Sequence, residues 1–211
     1  DLYIFLHPTA APGDSWGGGL GGMKEACQAA ATSNGLNGTW YPLVSSTTWD
    51  VNQVTGTTGT RNIYNMNNQL LASSESALWD AANNPFPYHP DYYPDGTQAN
   101  MYTTTIYTNS NPDGTRKLDW YTTPDINDAC LDWTDGTYYQ GTTIGAANYG
   151  DSCWMGCGYD TCHQNYRILC IGNYTPPTNT PTATPTITPT PTATWNVTWK
   201  DATTDLSIFV N

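Results

Sequence analysis

Short apolar runs separated by polar, turn-forming stretches occupy the first 174 positions of the chain. The opening run, Leu2–Leu6, is five residues long and is closed by His7-Pro8, which predicts a strand. The clearest helix is predicted over residues 20–33, with Gly35 as its stop signal. Its apolar residues recur at helical spacing, at positions Met23, Ala26, Cys27 and Ala30. This combination of periods predicts an α+β fold.

Weaker signals predict the elements between this helix and the end of the domain. A short helix over residues 74–82 would be capped by Ser73 or Ser74 and would turn Ala77, Leu78 and Ala81 inward. The other predicted elements are a hairpin with its turn at 67–68, Asp-Gly-Thr turns at 95–97, 113–115 and 135–137, and a strand at 166–171. The segment 83–100 is predicted to be a long irregular loop.

The pattern changes after residue 174, so the chain divides into a domain (1–174), a linker (175–194) and a tail (195–211). The linker reads TPPTNTPTATPTITPTPTAT, and proline predicts an extended polyproline-like spacer. Its Thr/Pro bias is typical of O-glycosylated stalks. The predicted O-glycosylation sites are Thr178, Thr180, Thr182, Thr184, Thr186, Thr188, Thr190 and Thr192.

The charge balance excludes some classes of partner. The chain has 211 residues and a net charge of −12, from 18 acidic and 6 basic side chains. Such a surface repels phosphate backbones and anionic lipid, so neither a nucleic acid nor a charged membrane surface is expected as a partner. No apolar run approaches the ~20 residues of a spanning helix.

The cysteines indicate an oxidising compartment. Six cysteines, an even number, are typical of a disulfide framework. Zinc is the rival use, because Cys153, Cys157 and Cys162 cluster near His163, but no C-x-x-C pair occurs. The sequence begins at Asp1 without Met, which we interpret as a mature form after removal of a signal peptide. We therefore expect a secreted or cell-surface protein.

Several segments resemble a known family. These are the opening YIFL, the glycine-flanked GGLGGMKEACQAAA, the segment NIYNMNNQLLASS, and the later ACLDWTDGT, GAANYGDSCW and CHQNYRILCIGNY. Together they resemble the C-type-lectin-like fold, and more closely the endostatin-like domain of bacterial surface proteins, over residues 1–174. The resemblance implies the disulfides Cys27–Cys170 and Cys130–Cys162, and we expect the remaining pair, Cys153–Cys157, to be local.

The resemblance also implies a carbohydrate site, for which the sequence offers two sets of candidates. Calcium-dependent sugar binding needs carboxylate and amide oxygens, and the candidates are Asp125, Asn127, Asp128, Asp132 and Asp135. The Glu-Pro-Asn, Gln-Pro-Asp and Trp-Asn-Asp tripeptides of sugar-binding lectins are absent, so turns and caps are the alternative role. The aromatic candidates for stacking on a sugar are Trp120, Tyr121, Trp133, Tyr138, Tyr139 and Trp154. Core packing is the alternative role for these rings.

Catalysis has no comparable support. The three histidines are scattered, and neither G-x-S-x-G nor H-E-x-x-H occurs, so we expect no enzyme activity and no cofactor. Three N-glycosylation sequons are present, at Asn37, Asn173 and Asn196.

The tail suggests self-assembly. Its alternating apolar residues predict one or two strands that cannot be stable alone and need a partner sheet. The predicted assembly residues are Trp195, Val197, Trp199, Leu206, Ile208, Phe209 and Val210. Strand addition to the next copy would build a head-to-tail filament, a homopolymer. The alternatives are a tail that folds back or leads to a surface anchor, and a monomeric carbohydrate-binding or adhesive ectodomain.

Overall fold

The computed structural model describes residues 1–117, 128–136 and 141–176. The unit formed by Asp1–Pro176 is described here by itself. It is a mixed α+β structure with two sheets and three disulfides. Within these ranges, every helix is too short or too polar to cross a bilayer.

Two sheets form the framework. The strands are β1 (Leu2–Leu6), β2 (Trp40–Pro42), β3 (Ile63–Asn65), β4 (Leu70–Ala72), β5 (Thr105–Tyr107), β6 (Gly141–Ala146), β7 (Gly158–Thr161) and β8 (Leu169–Gly172). The larger sheet has the order β2-β8-β1-β3-β4, and β1 runs parallel to β3 and antiparallel to β8. The smaller sheet, β5-β6-β7, is antiparallel.

The helices are few and mostly short. They are α1 (Gly19–Ser33), α2 (Glu75–Leu78), α3 (Asp128–Trp133) and α4 (Cys153–Gly156), with 3-10 turns at Val51–Gln53 and Met101–Thr103. The predicted helix over 20–33 is confirmed as α1. It ends where Gly35 adopts a φ of +71°, a conformation that glycine reaches without steric cost.

Strand β1 is buried on both faces and separates two hydrophobic clusters. Leu2, Ile4 and Leu6 pack in one cluster, whereas Tyr3 and Phe5 pack in the other, which also contains the inner face of α1. A strand covered on both sides needs an unbroken apolar sequence, which explains the run LYIFL. Each fully buried apolar side chain contributes roughly 1.5–3 kcal/mol, so β1 is a principal source of stability.

The three disulfides are the two pairs that the resemblance implied and the remaining local pair that we expected. Cys27 in α1 is bonded to Cys170 in β8, and this bond encloses a sequence separation of 143 residues. Cys130 is bonded to Cys162, and Cys153 to Cys157. No cysteine is free, so the zinc alternative loses its thiolate ligands.

The weaker predictions are confirmed in part. Strands β3 and β4 form the hairpin expected around residues 67–68, with Asn68 in a left-handed conformation. The turns at 95–97 and 113–115 are present, and in each the Asp side chain accepts hydrogen bonds from the Thr. The third turn, 135–137, runs beyond the described residues.

Two predicted boundaries were wrong. The second helix is a single turn, α2, capped by the Ser74 hydroxyl, because the chain continues after it in turns stabilised by the Asp80 carboxylate. The last strand begins at Leu169 rather than at residue 166, because Tyr166 and Arg167 pair instead with Ala11 and β5.

Segment α3 is unusual because its backbone turns in the left-handed sense. The five residues from Ala129 to Trp133 all have positive φ, which costs L-residues roughly 1–2 kcal/mol each. Tertiary contacts offset this cost: the Cys130–Cys162 disulfide and a hydrogen bond from the Trp133 indole to the Ser45 carbonyl at 3.0 Å.

A buried ion pair joins α2 to the segment before β3. The Glu75 side chain is 1% exposed and accepts from Arg61 Nε at 2.5 Å and from the Arg61 backbone N–H at 2.9 Å. Burial by itself would raise the pKa of Glu75, but these hydrogen bonds outweigh it and hold the pKa below its ordinary value. The ionised carboxylate therefore stabilises the fold.

The lengths of the disulfide loops predict unequal contributions to stability. In the chain-entropy model, the Cys27–Cys170 closure contributes roughly 5 kcal/mol and the Cys153–Cys157 closure roughly 2 kcal/mol. The double variant Cys27→Ala/Cys170→Ala should therefore lose more free energy of unfolding than Cys153→Ala/Cys157→Ala. Denaturant titration of both variants measures the difference. Equal losses would contradict this ranking.

Glu75→Gln should make stability less dependent on pH in the acid range. The folded-state pKa of Glu75 is lowered, so its contribution is complete above the unfolded-state value of about 4.3 and is lost as the pH falls through the folded-state pKa. At pH 7 the variant should be less stable by roughly 2 kcal/mol. Denaturant titrations from pH 7 to pH 2 should show this gap narrowing, and a constant gap would contradict the assignment.

Candidate interaction surface

Two of the three tryptophans predicted to form a ligand face, Trp133 and Trp154, are part of the core. Trp133 is fully buried beside Tyr107, and Trp154 is fully buried between Trp79 and Phe86. Trp120, with the neighbouring Tyr121, lies outside the described residues, as do Tyr138 and Tyr139. Trp133 and Trp154 therefore have the packing role that was the alternative interpretation.

The acidic candidates are not gathered into a cation site within the described residues. The Asp132 carboxylate accepts hydrogen bonds from the backbone N–H and the hydroxyl of Thr47, at 2.7 and 2.9 Å. These bonds fix α3 to the loop after β2. In the described ranges no three His, Cys, Asp or Glu side chains are grouped so as to hold a metal, and Asp135 belongs to no such group. Asp125, Asn127 and the side chain of Asp128 lie outside those ranges.

A groove of about 430 Å³ lies beside the first turns of α1. Its walls include the His7 imidazole and the Trp16 ring, whose centroids are 4.9 Å apart in an edge-on arrangement. Burial lowers the pKa of His7, and the nearby positive charge of Arg167 lowers it further. Hydrogen bonds with the backbone of Thr9 and Ala26 raise the pKa, but it stays below its ordinary value. In its neutral form the imidazole packs edge-on against the Trp16 indole and forms part of the wall of the groove.

Sequence reasoning missed a group of exposed large side chains on loops that backbone hydrogen bonds join. We call Tyr88, Met101, Tyr102 and Tyr149 the tyrosine surface; they are 46%, 65%, 86% and 45% exposed, respectively. Isolated exposed apolar residues are common, but a group of them on adjoining loops is typical of an interaction site.

Long-range hydrogen bonds hold the three loops of the tyrosine surface together. The Phe86 N–H donates to the Gly150 carbonyl at 2.7 Å, two residues from Tyr88 and one from Tyr149. The Ala147 N–H donates to the Thr104 carbonyl at 2.8 Å, two residues after Tyr102. These bonds connect segments distant in sequence, so no local pattern could have revealed the cluster.

Charged side chains border the tyrosine surface but do not belong to its loops: Asp151 follows Gly150 directly, and the Arg167 guanidinium donates to the Thr103 carbonyl. The loops themselves, residues 85–89, 100–103 and 147–150, contain no Asp, Glu, Lys or Arg. The whole chain has a net charge of −12, of which residues 175–211 contribute −1, from one Lys and two Asp, so residues 1–174 carry −11.

The tyrosine surface and the chain exit lie at opposite ends of β1. At the exit, Tyr3 pairs with Gly172, and its ring packs edge-on against Tyr174 at 5.3 Å. At the other end, Arg167 donates to the Pro8 carbonyl, just beyond β1, and to the Thr103 carbonyl in the Tyr102 loop, at 3.3 and 3.0 Å. A five-residue strand of about 16 Å separates these two contacts.

Two of the predicted glycosylation sequons meet at the exit. The Asn173 side-chain oxygen accepts from the Thr39 N–H at 3.0 Å, and the Asn37 oxygen accepts from the Thr175 N–H at 3.2 Å. Each asparagine thus binds the threonine of the other sequon, and both asparagines are exposed. We call this reciprocal pair the sequon clip. It fixes the exit of the chain to the loop before β2.

The remaining predicted sites lie outside the described residues. These are the linker threonines from Thr178 to Thr192, the sequon at Asn196, and the assembly residues between Trp195 and Val210. Their assignments stay predictions. In comparisons with known proteins, no protein-family model matches the chain, and no curated protein matches it.

Gly38→Ala should disrupt the sequon clip. Gly38 has a φ of +90°, and a Cβ there would lie 1.8 Å from the Asn173 carbonyl oxygen. Gly35→Ala is the matched control, because Gly35 also has a positive φ but its Cβ would meet no atom within 4 Å. Denaturant titration should show roughly 1 kcal/mol lost in the control, from backbone strain alone, and a clearly larger loss in Gly38→Ala. Equal losses would mean that the contact with Asn173 is unimportant.

Proposed function

We propose that this chain is a non-enzymatic, extracellular structural protein whose copies join head to tail through the C-terminal segment. The observation that carries the proposal is the polarity of the domain. The chain leaves at one end of β1, and an exposed aromatic surface lies at the other end. A contact between unlike surfaces of successive copies does not close on itself, so it builds a filament.

The construction of the domain supports an extracellular location. All six cysteines are paired, and such disulfides persist in oxidising compartments. The Cys27–Cys170 disulfide encloses most of the domain, and the sequon clip holds the last residues of the domain in place. Both would keep a subunit folded while force acts on its C-terminal segment. The exposed asparagines of the sequons leave room for N-glycans.

The sheet supplies acceptor edges for the tail strands. Both outer strands of the larger sheet, β2 and β4, carry partly exposed apolar side chains, Tyr41 and Leu70, which are 36% and 37% exposed. Each of these strands is three residues long, so strand addition there would pair a short part of the tail and bury the apolar side chains beside it. The exposed parts of Tyr41 and Leu70 would then be covered.

A C-type-lectin-like family assignment is part of the proposal. The bond between α1 and the last strand, and the pairing of the first strand with the last, are consistent with it. The second candidate function, carbohydrate binding by a monomeric adhesive ectodomain, is favoured by the exposed rings of the tyrosine surface, which could stack on sugars. A bound calcium ion would be expected only with that carbohydrate-binding function.

Negative-stain electron microscopy of the full chain, a chain ending at Pro176, and the variant Trp195→Ser/Trp199→Ser tests the assembly. We expect filaments from the full chain and single particles from the other two samples, because both lack the apolar strand that needs a partner sheet. The double variant keeps the full length of the chain. If it forms no filaments, the cause is therefore the loss of the apolar strand residues and not a shorter tail. Single particles in all three samples would contradict the proposal.

A further inference from the structure

We infer that the tyrosine surface binds the Thr/Pro tract, residues 177–194, of a second copy. The inference rests on the proposed head-to-tail assembly and names a partner for one of its surfaces. It begins from an unexplained feature: three tyrosines and a methionine lie on loops joined by backbone hydrogen bonds, and each of the four residues is between 45% and 86% exposed. Residues exposed in this way mark a binding surface.

The chemistry of the surface suits a proline-rich strand. Polyproline II segments have no internal hydrogen bonds and lose little conformational entropy on binding, and proteins recognise them on aromatic surfaces. Tyrosine provides a flat apolar ring with a hydroxyl that can donate to the free carbonyls of such a backbone. Methionine adapts its shape to an irregular partner.

Charge favours this occupant over the acidic surface of another domain. The tract contains no charged residue, and neither do the loops of the tyrosine surface. Two domains of charge −11 repel each other, so a neutral contact between an extended tract and this surface avoids the largest electrostatic cost.

The length of the tract fits a contact between copies. Its 18 residues span about 56 Å when fully extended in the polyproline II conformation. The chain leaves the domain at the exit end of β1, whereas the tyrosine surface lies at the other end. A tract that leaves one copy and lies on the far end of the next continues the head-to-tail direction.

The test is the binding of a fluorescein-labelled, unglycosylated peptide of residues 177–194 to the full-length protein, followed by fluorescence anisotropy. We expect saturable binding that weakens at least about tenfold in Tyr102→Ala/Tyr149→Ala, as for aromatic residues that anchor an interface. A peptide with every proline replaced by alanine should bind more weakly, because it loses the preformed extended conformation.

Leu131→Ala is the matched control. It removes an apolar side chain of α3 that is 39% exposed and lies outside the tyrosine surface, and it should leave peptide binding unchanged. Denaturant titration checks folding, since the exposed Tyr102 and Tyr149 should each change stability by less than about 0.5 kcal/mol. No saturable binding to the wild type, or binding unaffected by Tyr102→Ala/Tyr149→Ala, would overturn the inference.

Two further outcomes separate this inference from the proposed function. Filaments in the microscope without peptide binding would overturn the inference and leave assembly standing, whereas peptide binding without filaments would support the surface and overturn assembly. Binding on a glycan array that is lost in Tyr102→Ala/Tyr149→Ala, with no peptide binding, would assign the tyrosine surface to sugars instead.

Discussion

The disulfide between Cys27 and Cys170 is the constraint on which the rest of the domain depends. Strand β8 lies between β1 and β2 in the larger sheet, and the bond fixes α1 onto this central position. One hydrophobic cluster is thereby closed between the helix and the sheet. Because β8 is antiparallel to β1, the first residues of the chain and the last residues of the domain lie at the same end of the sheet. At that end the sequon clip fixes the last residues to the loop before β2.

That arrangement gives the domain a direction. The exit of the chain and its aromatic contacts occupy one end of β1, while Arg167 organises the loops at the other end through the carbonyls of Pro8 and Thr103. The tyrosine surface extends from these loops, and its own residues carry no formal charge, although the domain as a whole is strongly acidic. In the proposed assembly, like-charge repulsion between the acidic domains would favour contacts made through this surface.

The sequence predicted those features that depend on local pattern. The unbroken apolar run of β1, the helical spacing in α1 and the Asn-rich hairpin turn each specify their own geometry. The burial of Trp133 and Trp154 could not be predicted, because the same tryptophan-containing sequence is compatible with packing in a core and with a binding face. The tyrosine surface was hidden for another reason: the bonds from Phe86 to Gly150 and from Ala147 to Thr104 join segments that no periodicity connects. The spacing of the six cysteines alone allows 15 possible pairings. The resemblance implied two of the disulfides, and the third was the pair that remained.

Sedimentation velocity of the full chain over a wide concentration range tests the central claim, open-ended assembly of copies in one direction, most directly. Contacts between unlike surfaces predict a sedimentation coefficient that rises continuously with concentration, without a preferred final size. Added salt should promote this growth by screening repulsion between the acidic domains. A single monomeric species at all concentrations, or a dimer that grows no further, would contradict the account.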